Sequence, residues 1–107
     1  MSAKKPSPRA TRRAQARAAE KLATAREKLA RLETGGAPDR PVVVESASQV
    51  DVHARSLQCV RCDGSYRLDE HLAETLGGSR LRVARLVCLV CGARRSVYFR
   101  IAPTGMN

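Results

Sequence analysis

Four cysteines fall in two pairs, Cys59-Val60-Arg61-Cys62 and Cys88-Leu89-Val90-Cys91, with 25 residues between Cys62 and Cys88. A Cys-x2-Cys pair forms a tight turn whose backbone N–H groups aim at the sulfurs. Two such turns can close a tetrahedral shell of four thiolates, the ligand set that structural zinc demands. The spacer is longer than the usual ~15–20 residues but long enough for one β-hairpin. Two other chemistries use the same residues. A redox Cys-x-x-Cys centre needs only one pair, in a thioredoxin-like βαβ setting that is absent from this sequence, and a pair of disulfides needs an oxidising compartment. Zn2+ held by Cys59, Cys62, Cys88 and Cys91 is the expectation.

The 107 residues bound the chain to one small domain with appendages. A cysteine-bearing unit of about fifty residues buries too little apolar surface to stand alone and needs metal, disulfides or a partner. No apolar run is long enough for a membrane span. The basic start, Met1 to Ala25, is not followed by the apolar core of a secretory signal. Its Arg and Ala content resembles a mitochondrial presequence, but after Met1 it offers no large apolar residue before Leu22. A cytoplasmic protein with reduced thiols, and no membrane partner, is expected.

The net charge is +10, and Met1 to Glu33 holds ten Lys or Arg against Glu20, Glu27 and Glu33. Residues 1–8 read as a disordered basic tail, with Lys4 and Lys5 beside Pro6 and Pro8. Residues 9–33 read as an α-helix, with Ser7 as N-cap, Pro8 at the first helical position, and Gly35-Gly36-Ala37-Pro38 as the stop. Ala18, Leu22, Ala25, Leu29 and Leu32 step by 4, 3, 4 and 3, a coiled-coil seam of about two heptads. The stripe is either solvated or an interface, for a second copy or a larger protein partner, through Leu22, Leu29 and Leu32. Glu27 and Arg31 are spaced for an i,i+4 ion pair. Residues 34–49 read as a linker, so helix and cysteine-bearing half are expected to be independent.

Residues 50–102 carry the metal-binding unit, and 103–107 a loose C-terminus. Val50, Val52 and Ala54 alternate as in a strand entering the first cysteine pair, with His53 and His71 as surface or supporting residues rather than ligands. Tyr66–Thr75 and Arg80–Cys88 read as a hairpin around Gly77-Gly78. The register pairs Thr75 with Arg80, Leu72 with Val83, Glu70 with Arg85 and Leu68 with Val87, giving one apolar face of Leu68, Leu72, Leu81, Val83 and Val87. A short helix over Asp69–Leu76 is the competing reading. Arg94 to Ala102 alternates cleanly, with Val97, Phe99 and Ile101 inward, up to Pro103.

Two cysteine knuckles, a hairpin between them and a strand leaving Cys91-Gly92 together resemble the zinc ribbon superfamily over Val50–Ala102. The resemblance implies a small zinc-stabilised β fold, an antiparallel hairpin with extra strands, preceded here by the basic helix, and points to a bacterial member. Ribbons serve in transcription factors, polymerase subunits and ribosomal proteins, so the resemblance says little about function. The ribbon of the eukaryotic elongation factor that stimulates transcript cleavage carries an Asp-Glu pair at its hairpin tip. Here Asp69-Glu70 lies well before the Gly-Gly turn, and no acid sits at the tip. A binding module rather than an enzyme is therefore expected, contacting DNA, RNA or a nucleoprotein machine such as the transcription or translation apparatus. The alternative is a protein-interaction adaptor using the helix. Arg80 and Arg82 on one strand, with Arg94, Tyr98 and Arg100 on the next, are expected to form one basic patch, joined by Lys4, Lys5, Arg12 and Arg13. Arg outnumbers Lys sixteen to four, which is also the mark of a genome's base composition.

Overall fold

A computed structural model of the chain describes residues 7–102. The predicted tail residues Lys4 and Lys5 and the 103–107 terminus lie outside them. The elements are α1 (Pro8–Leu32), β1 (Val42–Val44), α2 (Ala47–Ser56), β2 (Tyr66–Leu76), β3 (Ser79–Cys88) and β4 (Arg94–Ile101). The strands form one mixed sheet in the order β1-β4-β3-β2, with β1 parallel to β4 and the other pairs antiparallel. Among the described residues no helix is long and apolar enough to cross a membrane.

The hairpin forms as its turn demands. Gly77 and Gly78 both take positive φ, 58° and 81°, the conformation of a two-residue type I′ connection. Thr75 faces Arg80, Leu72 faces Val83 and Glu70 faces Arg85. Below Glu70 the register shifts at a bulge, so Leu68 faces Leu86 instead of Val87. One extra residue reverses the side-chain alternation. Leu68 thus joins the face of Ala84, Leu86 and Cys88, while Leu81 and Val83 are buried on the other face beside Leu72 and Tyr98.

The segment before the first knuckle is a helix, not the expected strand. Val50 and Ala54, four apart, are both fully buried, whereas Val52 is 71% exposed. That is the helical period of burial, and a strand would have placed all three on one side. Ser46 is the N-cap by backbone conformation, without a side-chain capping bond, and three residues later the Gln49 side chain accepts the Glu45 N–H at 2.6 Å, which ties the helix start to the residue before the cap. α2 covers the sheet face that carries Ala84, Leu86, Val97 and Phe99. The predicted linker is likewise structured: Val42, Val43 and Val44 pair with Phe99, Arg100 and Ile101.

α1 starts as read, with Ser7 Oγ accepting the Ala10 N–H at 3.1 Å and Pro8 in the first turn. Side-chain ion pairs tie it to the first cysteine loop. Arg26 donates to Asp63 at 2.5 Å and to the Arg61 carbonyl, while Arg61 reaches back to Glu20 at 2.7 Å and to Glu27. Glu27 therefore pairs with Arg61 rather than with Arg31. The helix face buried is that of Ala23 and Ala30, and Leu22, Leu29 and Leu32 stay about 60–66% exposed. Enlarging the buried position, Ala30→Leu, is expected to cost about 1–3 kcal/mol through overpacking. Leu29→Ala should stay within about 0.5 kcal/mol. Urea unfolding of both variants checks which face docks, and equal costs would place the contact elsewhere.

Candidate metal centre

Each cysteine pair sits in the same backbone loop. In the first, the Cys59 N–H donates to Gly64 O at 2.7 Å and the Asp63 N–H to Cys59 O at 2.8 Å. In the second, the Cys88 N–H donates to Ala93 O at 2.9 Å and the Gly92 N–H to Cys88 O at 3.0 Å. The residue just after each pair turns the chain through positive φ, Asp63 at 65° and Gly92 at 75°. Glycine takes that conformation freely, and aspartate is among the side chains that tolerate it. Asp63 is also the carboxylate that Arg26 holds, so α1 secures the less favourable of the two turns. Ser65 O accepts the Leu89 N–H at 2.9 Å, tying one loop to the other.

These loops bring the four sulfurs together. All four Sγ lie within 4.8 Å of one another, with Cys59 and Cys91 at 3.7 Å and Cys62 and Cys88 at 3.5 Å. A tetrahedron with metal–sulfur bonds of ~2.3 Å has edges of ~3.8 Å, so this spacing fits a four-coordinate ion. The nearest sulfurs belong to different knuckles and are far beyond the ~2.05 Å of a disulfide, and all four cysteines are free. The cysteines are positioned to hold a metal ion. Neither histidine belongs to the cluster. His71 Nδ1 lies 2.8 Å from Asp51 Oδ1, and His53 packs edge-on against Phe99 with ring centroids 5.4 Å apart.

Backbone amides order the ionisation of the thiols. The N–H groups of Cys91 and Val90 point at Cys88 Sγ, at 3.4 and 3.3 Å, and bring its thiol down to about 6. At Cys59 burial pushes the pKa up, but the N–H groups of Arg61 and Cys62 outweigh it and hold it below the ordinary value. At Cys62 the Gly64 N–H pulls down, but burial and the neighbouring thiols push the group up to about 12. A metal must therefore displace protons, and its affinity should rise with pH. Below about pH 6 the Cys88 thiol is protonated and its displaced proton should add roughly one decade per pH unit to the slope; above it Cys88 is already a thiolate and that contribution should disappear, while Cys62 still has a proton to lose. Competition with a chromophoric chelator at a series of pH values measures this, and a pH-independent affinity would exclude thiolate ligation.

The expected arginine patch is divided by the register. Arg82 faces Phe99 and Val83 faces Tyr98, and directly opposed residues share a face of the sheet. Arg82 therefore lies on the α2 side, with Arg80 by alternation, while Arg94, Tyr98 and Arg100 lie on the other. Arg12 and Arg13 stand exposed on α1, in the half before its buried positions begin at Ala23. The Asp69-Glu70 pair lies at the bulge, with Glu70 3.6 Å from Arg85, as its distance from the turn required. Residues that composition alone did not single out are Arg61, Arg26 and Asp63, which join helix to knuckle. For Arg61 and Asp63 the only signal in the sequence was their place beside Cys62, and Arg26, on α1, carried none. Comparison with family models, with curated proteins and with solved structures finds no match to this chain.

Proposed function

We propose that the chain is a zinc-stabilised binding module of the zinc ribbon type that contacts nucleic acid or a nucleoprotein machine. Four thiolates are the donor set of structural zinc and would complete its shell, leaving no position for a substrate or an activated water. The metal then serves the fold, and the module is not an enzyme. The observation that carries the nucleic-acid reading is the surplus of free cations. Among the described residues only Arg26, Arg40, Arg61, Arg67 and Arg85 have a carboxylate within ion-pairing distance. The other eleven of the sixteen arginines, including Arg12, Arg13, Arg80, Arg82, Arg94 and Arg100, have none. Guanidinium groups left without protein carboxylates match phosphate, which they bind bidentately.

Salt dependence tests this. For about five neutralised phosphates on a duplex, log K should fall against log salt with a slope near −4.5, and each contact removed should flatten it by about 0.9. Because the register splits the arginines, Arg80→Glu with Arg82→Glu and Arg94→Glu with Arg100→Glu should be made as separate pairs. Only the pair on the contacting face should weaken binding and flatten the slope. No affinity for DNA or RNA at low salt would remove the reading. One observation favours the second, a protein-interaction adaptor: Leu22, Leu29 and Leu32 remain exposed although α1 docks by its other face. Leu-to-Ala changes there would then abolish the protein partner's binding and leave nucleic acid untouched.

A further inference from the structure

A cleft of ≈ 260 Å³ lies between the last turns of α1, the first knuckle and the start of β4. It opens along sheet edge that β1 leaves bare, because β1 pairs only with Phe99–Ile101. Four arginines line it. Arg61 is already held by Glu20 and Glu27, whose hydrogen bonds, Glu20 first, raise its pKa further. Glu27, the one acid of the lining, is thereby neutralised. Arg31, Arg94 and Arg95 keep an unopposed charge among the described residues. Both tyrosines of the chain are here as well. Tyr66 accepts the Val60 N–H at 3.2 Å, and burial pushes its phenol up, so it keeps a proton to donate. Tyr98 stands half-buried at the rim, and its N–H points outward to Gly35 O at 2.9 Å. The alternation of a strand sends the Ser96 N–H toward the same open side.

We propose that this cleft binds a phosphate-bearing nucleotide unit, with the phosphate among Arg31, Arg94 and Arg95 and the base against the Tyr98 ring. Three free guanidiniums exceed what one carboxylate can neutralise and suit a phosphate dianion. The volume is at the small end of small-molecule sites, which run from about 300 Å³ upward, and admits one such unit rather than a folded partner. Aromatic stacking then distinguishes a nucleotide from inorganic phosphate. The unit is either a free nucleotide or one residue of a nucleic-acid strand. The second case rests on the nucleic-acid reading above, and the first does not.

The chain has no tryptophan, so its intrinsic fluorescence comes from the two cleft tyrosines. The metal-loaded full chain is titrated with adenosine and uridine monophosphates, the matching nucleosides, inorganic phosphate and a single-stranded hexanucleotide. Monophosphates should change the tyrosine emission saturably, and nucleosides should bind at least tenfold more weakly. Arg94→Gln with Arg95→Gln, and separately Arg31→Gln on the helix, should each weaken monophosphate binding about tenfold with metal content unchanged. Tyr98→Leu should remove the preference over inorganic phosphate. A hexanucleotide that binds more tightly than the monophosphate, and is weakened by the same changes, assigns the site to a strand. Monophosphate binding without hexanucleotide binding supports the cleft while contradicting the nucleic-acid reading. Hexanucleotide binding untouched by the cleft variants, with no monophosphate binding, overturns the cleft and leaves that reading standing. An acidic peptide that binds where monophosphates do not would also overturn it.

Discussion

Cys88→Ser should release the metal and unfold the sheet. Cys88 is 2% exposed, ends β3, receives two backbone N–H groups at its sulfur and belongs to the apolar cluster that α2 covers. A serine hydroxyl does not ionise near neutral pH and leaves three ligands where four close the shell. Binding of structural zinc in small domains carries an apparent free energy of about 10–16 kcal/mol, comparable to the whole stability of a domain this size. The variant should purify without metal and without the β signal in circular dichroism. Cys62→Ser should do the same although Cys62 is exposed, because the loss is of a ligand and not of packing. A folded, metal-loaded Cys62→Ser protein would mean that this thiol is not a ligand.

The second large effect is expected at Phe99→Ala. Phe99 is fully buried and heads the completely enclosed side chains. It pairs with Val42 on one side and Arg82 on the other, and His53 from α2 closes over its ring. Removing a buried phenyl costs about 3–5 kcal/mol, from lost transfer energy and the cavity left behind. Urea unfolding at saturating metal should show that loss while the metal stoichiometry stays at that of the wild type. A cost below about 1 kcal/mol would show that α2 does not close over the sheet face that carries Phe99.

The parts legible in the sequence were those fixed by neighbours along the chain. The cysteine pairs, the Gly77-Gly78 turn, the Ser7-Pro8 helix start and the alternation of Arg94–Ile101 each carry their cause within a few residues. What was missed depended on partners far away. Val50, Val52 and Ala54 satisfy both a period of two and a period of four, and only the sheet beneath decides that Val52 faces water. Ser46 with Gln49 was the local clue to that helix. Three valines in a row do not announce a parallel partner more than fifty residues on. The bulge at Asp69 turned Leu68 to the other face, and the pairing of Arg82 with Phe99 separated arginines that alternation within each strand had grouped. On α1 the leucines made the more visible stripe, yet small Ala23 and Ala30 dock, because Arg26, Arg61, Glu20 and Glu27 set the helix's rotation.

The most direct test of a fold held by a four-thiolate metal centre is chelator titration of the purified wild-type chain, with released metal counted as far-UV circular dichroism is recorded. One equivalent of zinc should leave per chain, and the β signal should disappear in proportion to its release and return when zinc is added back. A chain that keeps its sheet after the last metal has been removed would contradict the claim.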